Sequence, residues 1–179
     1  IVFHLHAIEV LAHLVKSDLN NFFDSLLNKF ISFAVVEYFK PGAELAAEIH
    51  RILAKTKSVD VVFLKNHGFV IGGENITAVR RIISKVIDCL ATEPIFKISQ
   101  SRVISKPPQN LSNRYAPVDD QGVQLLALNP MLYRHLSSSW ALYPDHVIFL
   151  GPRAYAYESW MELELERIHS GHLPELVFL

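Results

Sequence analysis

His4 and His6 stand two residues apart in Ile1-Val2-Phe3-His4-Leu5-His6, and His67 sits in Asn66-His67-Gly68. Imidazole is the commonest side-chain ligand for metal ions at neutral pH. Val2, Phe3 and Leu5 interleave with the two histidines, the pattern of a short strand. Residues two apart on a strand project to one side, so His4 and His6 can converge on a single ion. Taken alone, a strand His-x-His equally suits a half-exposed pair or a structural hydrogen-bonding face. His67 strengthens the metal interpretation, because it ends a second strand at a glycine turn, where a side chain is held firmly beside an open cleft. Three imidazoles with room for a fourth ligand describe a catalytic rather than a structural zinc site.

The other candidate groups have blander contexts. His13, His50, His135, His169 and His172 carry no motif and are expected at the surface or on helix faces. Asp145 and His146 precede an apolar run and suit a polar turn, the alternative being a contribution to substrate capture. Cys89 lies in the helical pattern Val86-Ile87-Asp88-Cys89-Leu90 and suits a buried small hydrophobe. Glu9, Glu37 and Glu44 are read as surface charges of helices and strands.

The elements that must position the histidines follow from periodicity. Residues 7–16 carry Ile8, Leu11 and Leu14 or Val15 at helical spacing. Asp18 is placed to cap a second helix bearing Phe22, Phe23, Leu26 and Leu27. Residues 31–39, rich in β-branched and aromatic side chains, predict a strand that Lys40-Pro41-Gly42 stops. Pro41 then suits the start of a helix carrying Leu45, Ile49, Ile52 and Leu53, with Glu44 in its first turn. Residues 60–64 predict a strand buried on both faces, and Phe69-Val70-Ile71 a second one beyond the turn. Asn75 is placed to cap a long helix with Ile76, Val79, Ile82, Ile83, Val86, Ile87 and Leu90 at spacings of three and four. Pro94 ends that pattern. Residues 99–117 shift to Ser, Asn, Gln and Pro and predict a linker. Short helices around residues 121–128 and 130–137, a strand at 147–150 and a helical tail over 155–169 complete the chain. Strands alternating with helices over the first 95 residues indicate an α/β layered fold.

Composition narrows the functions. The 179 residues are half hydrophobic and one-fifth charged, which suits one compact domain with a small appendage. With 17 basic and 18 acidic side chains the formal net charge is −1, and no basic stripe is present to track phosphates, which argues against a nucleic-acid partner. The most apolar stretch, residues 30–39, is interrupted by Ser32 and Glu37 and is shorter than the roughly 20 residues of a membrane span. The first residues lack the basic region of a signal peptide. A single cysteine fits a cytoplasmic setting.

Three segments carry a family resemblance. Val2-Phe3-His4-Leu5-His6-Ala7 with the apolar helix after it resembles the His-x-His segment of class II aldolase/adducin domains. Glu37-Tyr38-Phe39-Lys40-Pro41-Gly42-Ala43-Glu44-Leu45-Ala46 is similar to that family's aromatic strand running into a Pro-Gly helix start. Phe63-Leu64-Lys65-Asn66-His67-Gly68-Phe69-Val70-Ile71-Gly72-Gly73 resembles its Asn-His-Gly element. The motifs stand in the family's order and cover residues 1 to about 95. The resemblance implies a layered α/β/α class II aldolase-like domain with a central β-sheet over residues 1–98, a linker over 99–117, and a mostly helical C-terminal extension over 118–179. It implies that His4, His6 and His67 ligate zinc or another divalent metal. The implied chemistry is a lyase reaction, cleaving or forming a C–C bond in a small phosphorylated sugar through a metal-stabilised enediolate. Epimerisation or dehydration on the same metal, or a non-catalytic adducin-like protein-binding module, are the alternatives, since a fold does not fix a reaction.

The resemblance further implies a homo-oligomer, tetrameric in the family, for which Phe69 and the helix from Ile76 offer apolar surface. The family's catalytic glutamate and phosphate-binding loop lie upstream of His-x-His. They are therefore expected in a segment preceding Ile1, and the catalytic residue is unassigned within this sequence. Leu142-Tyr143-Pro144-Asp145-His146-Val147-Ile148-Phe149-Leu150-Gly151-Pro152 resembles a segment that follows the aldolase-like domain in longer members, including bifunctional aldolase/dehydrogenases. No Gly-rich dinucleotide fingerprint accompanies it, so no dinucleotide cofactor is expected.

Overall fold

The computed structural model describes residues 1–56, 58–93 and 106–179. The chain divides into two compact units, Ile1–Glu93 and Pro94–Leu179. In the first, β1 (Val2–Leu5) leads into α1 (Ile8–Leu14) and α2 (Leu19–Leu27). Strand β2 (Phe33–Val36), α3 (Ala43–Leu53), β3 (Val61–Leu64), β4 (Gly68–Gly72) and α4 (Ile76–Leu90) follow. The sheet order is β1-β4-β3-β2. The β3–β4 hairpin and the β1–β4 pair are antiparallel. Strands β2 and β3 run parallel, joined by the crossover through α3 that such a pair requires.

Side chains alternate across this sheet and divide its core in two. Val61, Phe63, Phe69 and Ile71 face one side, where Val10 and Leu14 of α1, Leu19, Phe23 and Leu27 of α2, and Val79, Val86 and Leu90 of α4 cover them. Val36, Val62 and Leu64 face the other side and meet Leu45 of α3, with Ile49, Ile52 and Val70 beside them. Every residue of β3 is buried, as its unbroken apolar run demands for a strand covered on both faces. Phe23, Phe63 and Phe69 are completely buried. Each contributes about 1.5–3 kcal/mol by leaving water.

Local chemistry sets the boundaries. Asn75 caps α4, its side chain accepting the Ala78 N–H at 2.9 Å. Asp18 occupies the cap position of α2, but its Oδ1 accepts from the Asn21 side chain instead of a helix N–H. Helix α3 begins after Gly42, whose φ of 145° lies in a region that disfavours any side chain. The glycine, more than Pro41, thus makes the corner.

Burial in the first unit differs from expectation at three residues. His13, expected at the surface or on a helix face, lies on the buried face of α1, 1% exposed. Phe69, offered as spare surface for assembly, is sealed inside the core, as are Val79, Val86 and Leu90 of α4. Cys89 is only half-buried, packed at the edge of the same core.

The second unit is mostly helical: α5 (Gln121–Leu128), α6 (Pro130–Leu136), α7 (Pro144–Leu150) and α8 (Trp160–Ser170). The strand expected at residues 147–150 is the end of α7. Pro144 at the first helical position has its φ already set, and Asp145 favours the positive helix N-terminus. Ile148 and Phe149 are largely exposed, and among the described residues no strand pairs with this run to hold it extended. The helical tail starts later than its periodicity suggested, at Trp160, behind the Ser159 cap. Ahead of it Tyr155 and Tyr157 are buried in an extended segment bridged to Phe178. Within the stretch read as a linker, residues 99–105 and the Pro94 helix stop lie outside the described residues. Leu111 and Tyr115 from its remainder are buried in a cluster with Leu163, and the Tyr115 hydroxyl donates to the Pro174 carbonyl at 2.8 Å. Among the described residues no helix is long and apolar enough to cross a membrane.

Candidate metal centre

Strands β1 and β4 bring the histidines together through their register. His4 pairs across from Val70 and Leu5 from Phe69, and His6, one residue past the end of β1, lies beside Gly68. Leu5 and Phe69 turn toward the core, which directs His4 and His6 to the opposite face. That face is covered by α3 toward β2 and β3, and His4, at the β1 edge, is exposed while His6 and His67 are half-buried.

His67 arrives from the β3–β4 hairpin. Leu64 and Gly68 close the ladder, leaving residues 65–67 as the loop. Its left-handed residue is Asn66, with φ of 53°, a conformation asparagine tolerates better than most side chains. The loop is held from three sides. The Lys65 N–H donates to Val36 O at 3.0 Å, that of Asn66 to Leu14 O at 3.1 Å, and that of His67 to Leu64 O at 3.1 Å. The Lys65 ammonium is paired with Glu37 at 2.9 Å.

The glycine after His67 serves a purpose that the turn pattern did not reveal. Its backbone is outside the left-handed region, so conformation does not demand glycine. Space does: a Cβ there would lie 2.7 Å from Leu5 O, 3.0 Å from His6 Nε2 and nearer still to His6 Cδ2. The His6 ring lies over the bare backbone of Gly68.

The resulting cluster is tight. One ring nitrogen from each of His4, His6 and His67 lies within 4.8 Å of the other two. Nε2 of His4 and Nε2 of His6 are 2.9 Å apart. Ring centroids are separated by 4.7 Å for His4–His6, 4.9 Å for His4–His67 and 5.3 Å for His6–His67, with interplanar angles of 65° to 89°. The rings meet edge-on instead of stacking their faces. Nitrogens around one tetrahedral zinc stand about 3.3 Å apart, given bonds of about 2.0–2.1 Å. The triad is therefore within a small side-chain rotation of that spacing, and its donor set suits zinc or a neighbouring divalent transition metal.

Of the other sequence candidates, Glu9, Glu37 and Glu44 do not join this group. His50, His135, His169 and His172 are exposed. His146 lies in the first turn of α7, its Nδ1 2.7 Å from Trp140 O, and stacks on the Trp140 ring. Burial raises the neighbouring Tyr143 hydroxyl to about 12, so it stays protonated at neutral pH. Burial and the bond to Glu166 together push Tyr157 up to about 12 as well.

Residues 1–91 match the family model described as class II aldolase and adducin N-terminal domain. Neither a curated protein nor a solved structure gives a match.

Proposed function

The chain belongs to the class II aldolase and adducin family, and we propose that it is a metal-dependent, aldolase-like lyase acting on a small phosphorylated sugar. The observation that carries this reading is the convergence of three imidazole nitrogens within 4.8 Å. A scaffold that only binds protein partners has no need of such a cluster. Polar side chains packed together lose hydration, and each must be compensated. When bound, the ion supplies Lewis-acid stabilisation for negative charge that develops on a substrate oxygen.

The protein's own residues do the rest of the positioning. His4 is fixed by the β1–β4 ladder, His6 stands one residue past the end of β1 with its ring against Gly68, and His67 is held by the hairpin loop anchored on Leu14 and Val36. All three must be neutral to ligate, so protons compete with the metal. The exposure of His4 leaves the centre open to a polar ligand from solvent. Zinc is the expected ion on its three-histidine donor set.

Elemental analysis of purified protein tests the metal directly, with about one zinc per chain expected and loss of that zinc on His4→Ala or His67→Ala. A chain that takes up no divalent ion supports the adducin-like alternative. Product analysis with a panel of ketose and aldose phosphates then separates C–C bond cleavage from epimerisation or dehydration.

A further inference from the structure

We propose that His13 is a positioning residue for the histidine triad, locking the last turn of α1 so that the Leu14 carbonyl can hold the loop that presents His67. The inference rests on the metal assignment for its functional meaning, but its bonds stand independently. Helix α1 begins one residue after His6, at its Ala7 cap, and its last residue is Leu14. The Leu14 carbonyl accepts the Asn66 N–H at 3.1 Å, immediately before His67. The helix is thus a strut with one end joined to His6 and the other bonded to the loop of His67.

What holds the loop end of that strut is a buried imidazole. His13 is 1% exposed, one residue before Leu14. Its Nε2 lies 2.8 Å from Leu90 O, at the C-terminal end of α4, where carbonyls have no partner within the helix. Its Nδ1 lies 2.8 Å from the Lys16 ammonium. Only one neutral tautomer serves both bonds: Nε2–H donates to the Leu90 carbonyl, and Nδ1 accepts from Lys16. The ring stacks on Phe22 at 4.7 Å between centroids, and Lys16 Nζ lies over the same Phe22 ring. A leucine would fill this space but take the partner from the Leu90 carbonyl and release Lys16 to water. Histidine spans the two, and α1, α2 and α4 are tied together at the point where the loop hangs.

The test uses cobalt(II) added to the full chain, with affinity and the visible absorption band as readouts. His13→Leu keeps the apolar volume and removes both bonds, while His13→Gln keeps a donor for Leu90. Loss of a group that supports metal ligands typically weakens affinity about 10–100-fold. That loss, with a shifted cobalt band, is expected for a folded His13→Leu protein, and recovery for His13→Gln. A folded His13→Leu protein with the parent affinity and band overturns the proposal. If that variant fails to fold, His13→Asn, which can keep Lys16 and loses Leu90, takes its place under the same two outcomes. Amide hydrogen exchange in the metal-free protein separates this inference from the metal assignment. Exchange at Asn66 should accelerate selectively in the leucine variant, with Phe63 in the core unchanged, even if the parent chain binds no cobalt. Equal exchange at Asn66 in both proteins refutes the strut.

Discussion

Replacing Gly68 with alanine is the sharpest test of how the triad is assembled. The added methyl would stand 2.7 Å from the Leu5 carbonyl oxygen, against an ordinary carbon–oxygen contact of about 3.3 Å or more. It would also overlap the His6 ring, with Nε2 at 3.0 Å and Cδ2 closer. The carbonyl belongs to β1, whose pairing with β4 resists displacement, so the His6 ring must swing away. Overpacking of this kind destabilises by about 1–3 kcal/mol. The larger effect falls on the metal. Loss of a supporting group alone weakens affinity about 10–100-fold, and displacing a ligand should cost at least the upper end of that range, about 2.7 kcal/mol at 1.36 kcal/mol per tenfold. The assay is zinc titration by calorimetry alongside thermal unfolding of the metal-free protein. Gly72→Ala is the control on the same strand, since a Cβ there meets nothing within 4 Å. A Gly68→Ala protein that binds zinc as tightly as the parent would refute the assignment of His6 as a ligand held over Gly68.

Two further outcomes follow from the fold. Asn75→Ala removes the acceptor for the Ala78 N–H and should cost about 1 kcal/mol in urea unfolding, with zinc affinity unchanged because this cap bond involves neither the three histidines nor the loop that holds His67. The pH dependence of stability should carry the signature of His13. Burial, which outweighs the opposing bond to the Leu90 carbonyl and is aided by Lys16, lowers its pKa from 6.5. The unfolded chain therefore binds the proton first, and stability is fully present above pH 6.5 and falls as pH descends below it. Unfolding curves of metal-free protein between pH 8 and pH 5 should show this decline and lose it in part in His13→Gln.

Periodicity and cap chemistry were legible in the sequence because they are local. Alternation announced β1, the three-and-four spacing announced α4 with its Asn75 cap, and the unbroken apolar run announced a strand buried on both faces in β3. The histidine candidates were legible because a His-x-His strand puts both rings on one side whatever the rest of the chain does. Residues 147–150 were misjudged for the opposite reason. Val-Ile-Phe-Leu suits a strand only where a neighbouring strand offers a ladder, and here Pro144 and Asp145 start a helix first.

Tertiary structure alone decided how three separated positions become one cluster. Sequence spacing placed His4 beside His6, but only the antiparallel β1–β4 register carries His67 to them across more than 60 residues of chain. The need for glycine at position 68 is equally non-local, since the obstacle is a ring and a carbonyl from another strand. His13 shows the same limit. An isolated histidine on a helix suits a surface, and what lets the fold bury it is the helix-end carbonyl of Leu90, 77 residues away, which accepts its ring N–H. Local backbone preference is written in neighbouring residues, whereas hydrogen-bond satisfaction and close contact depend on which distant groups the fold brings within a few ångströms.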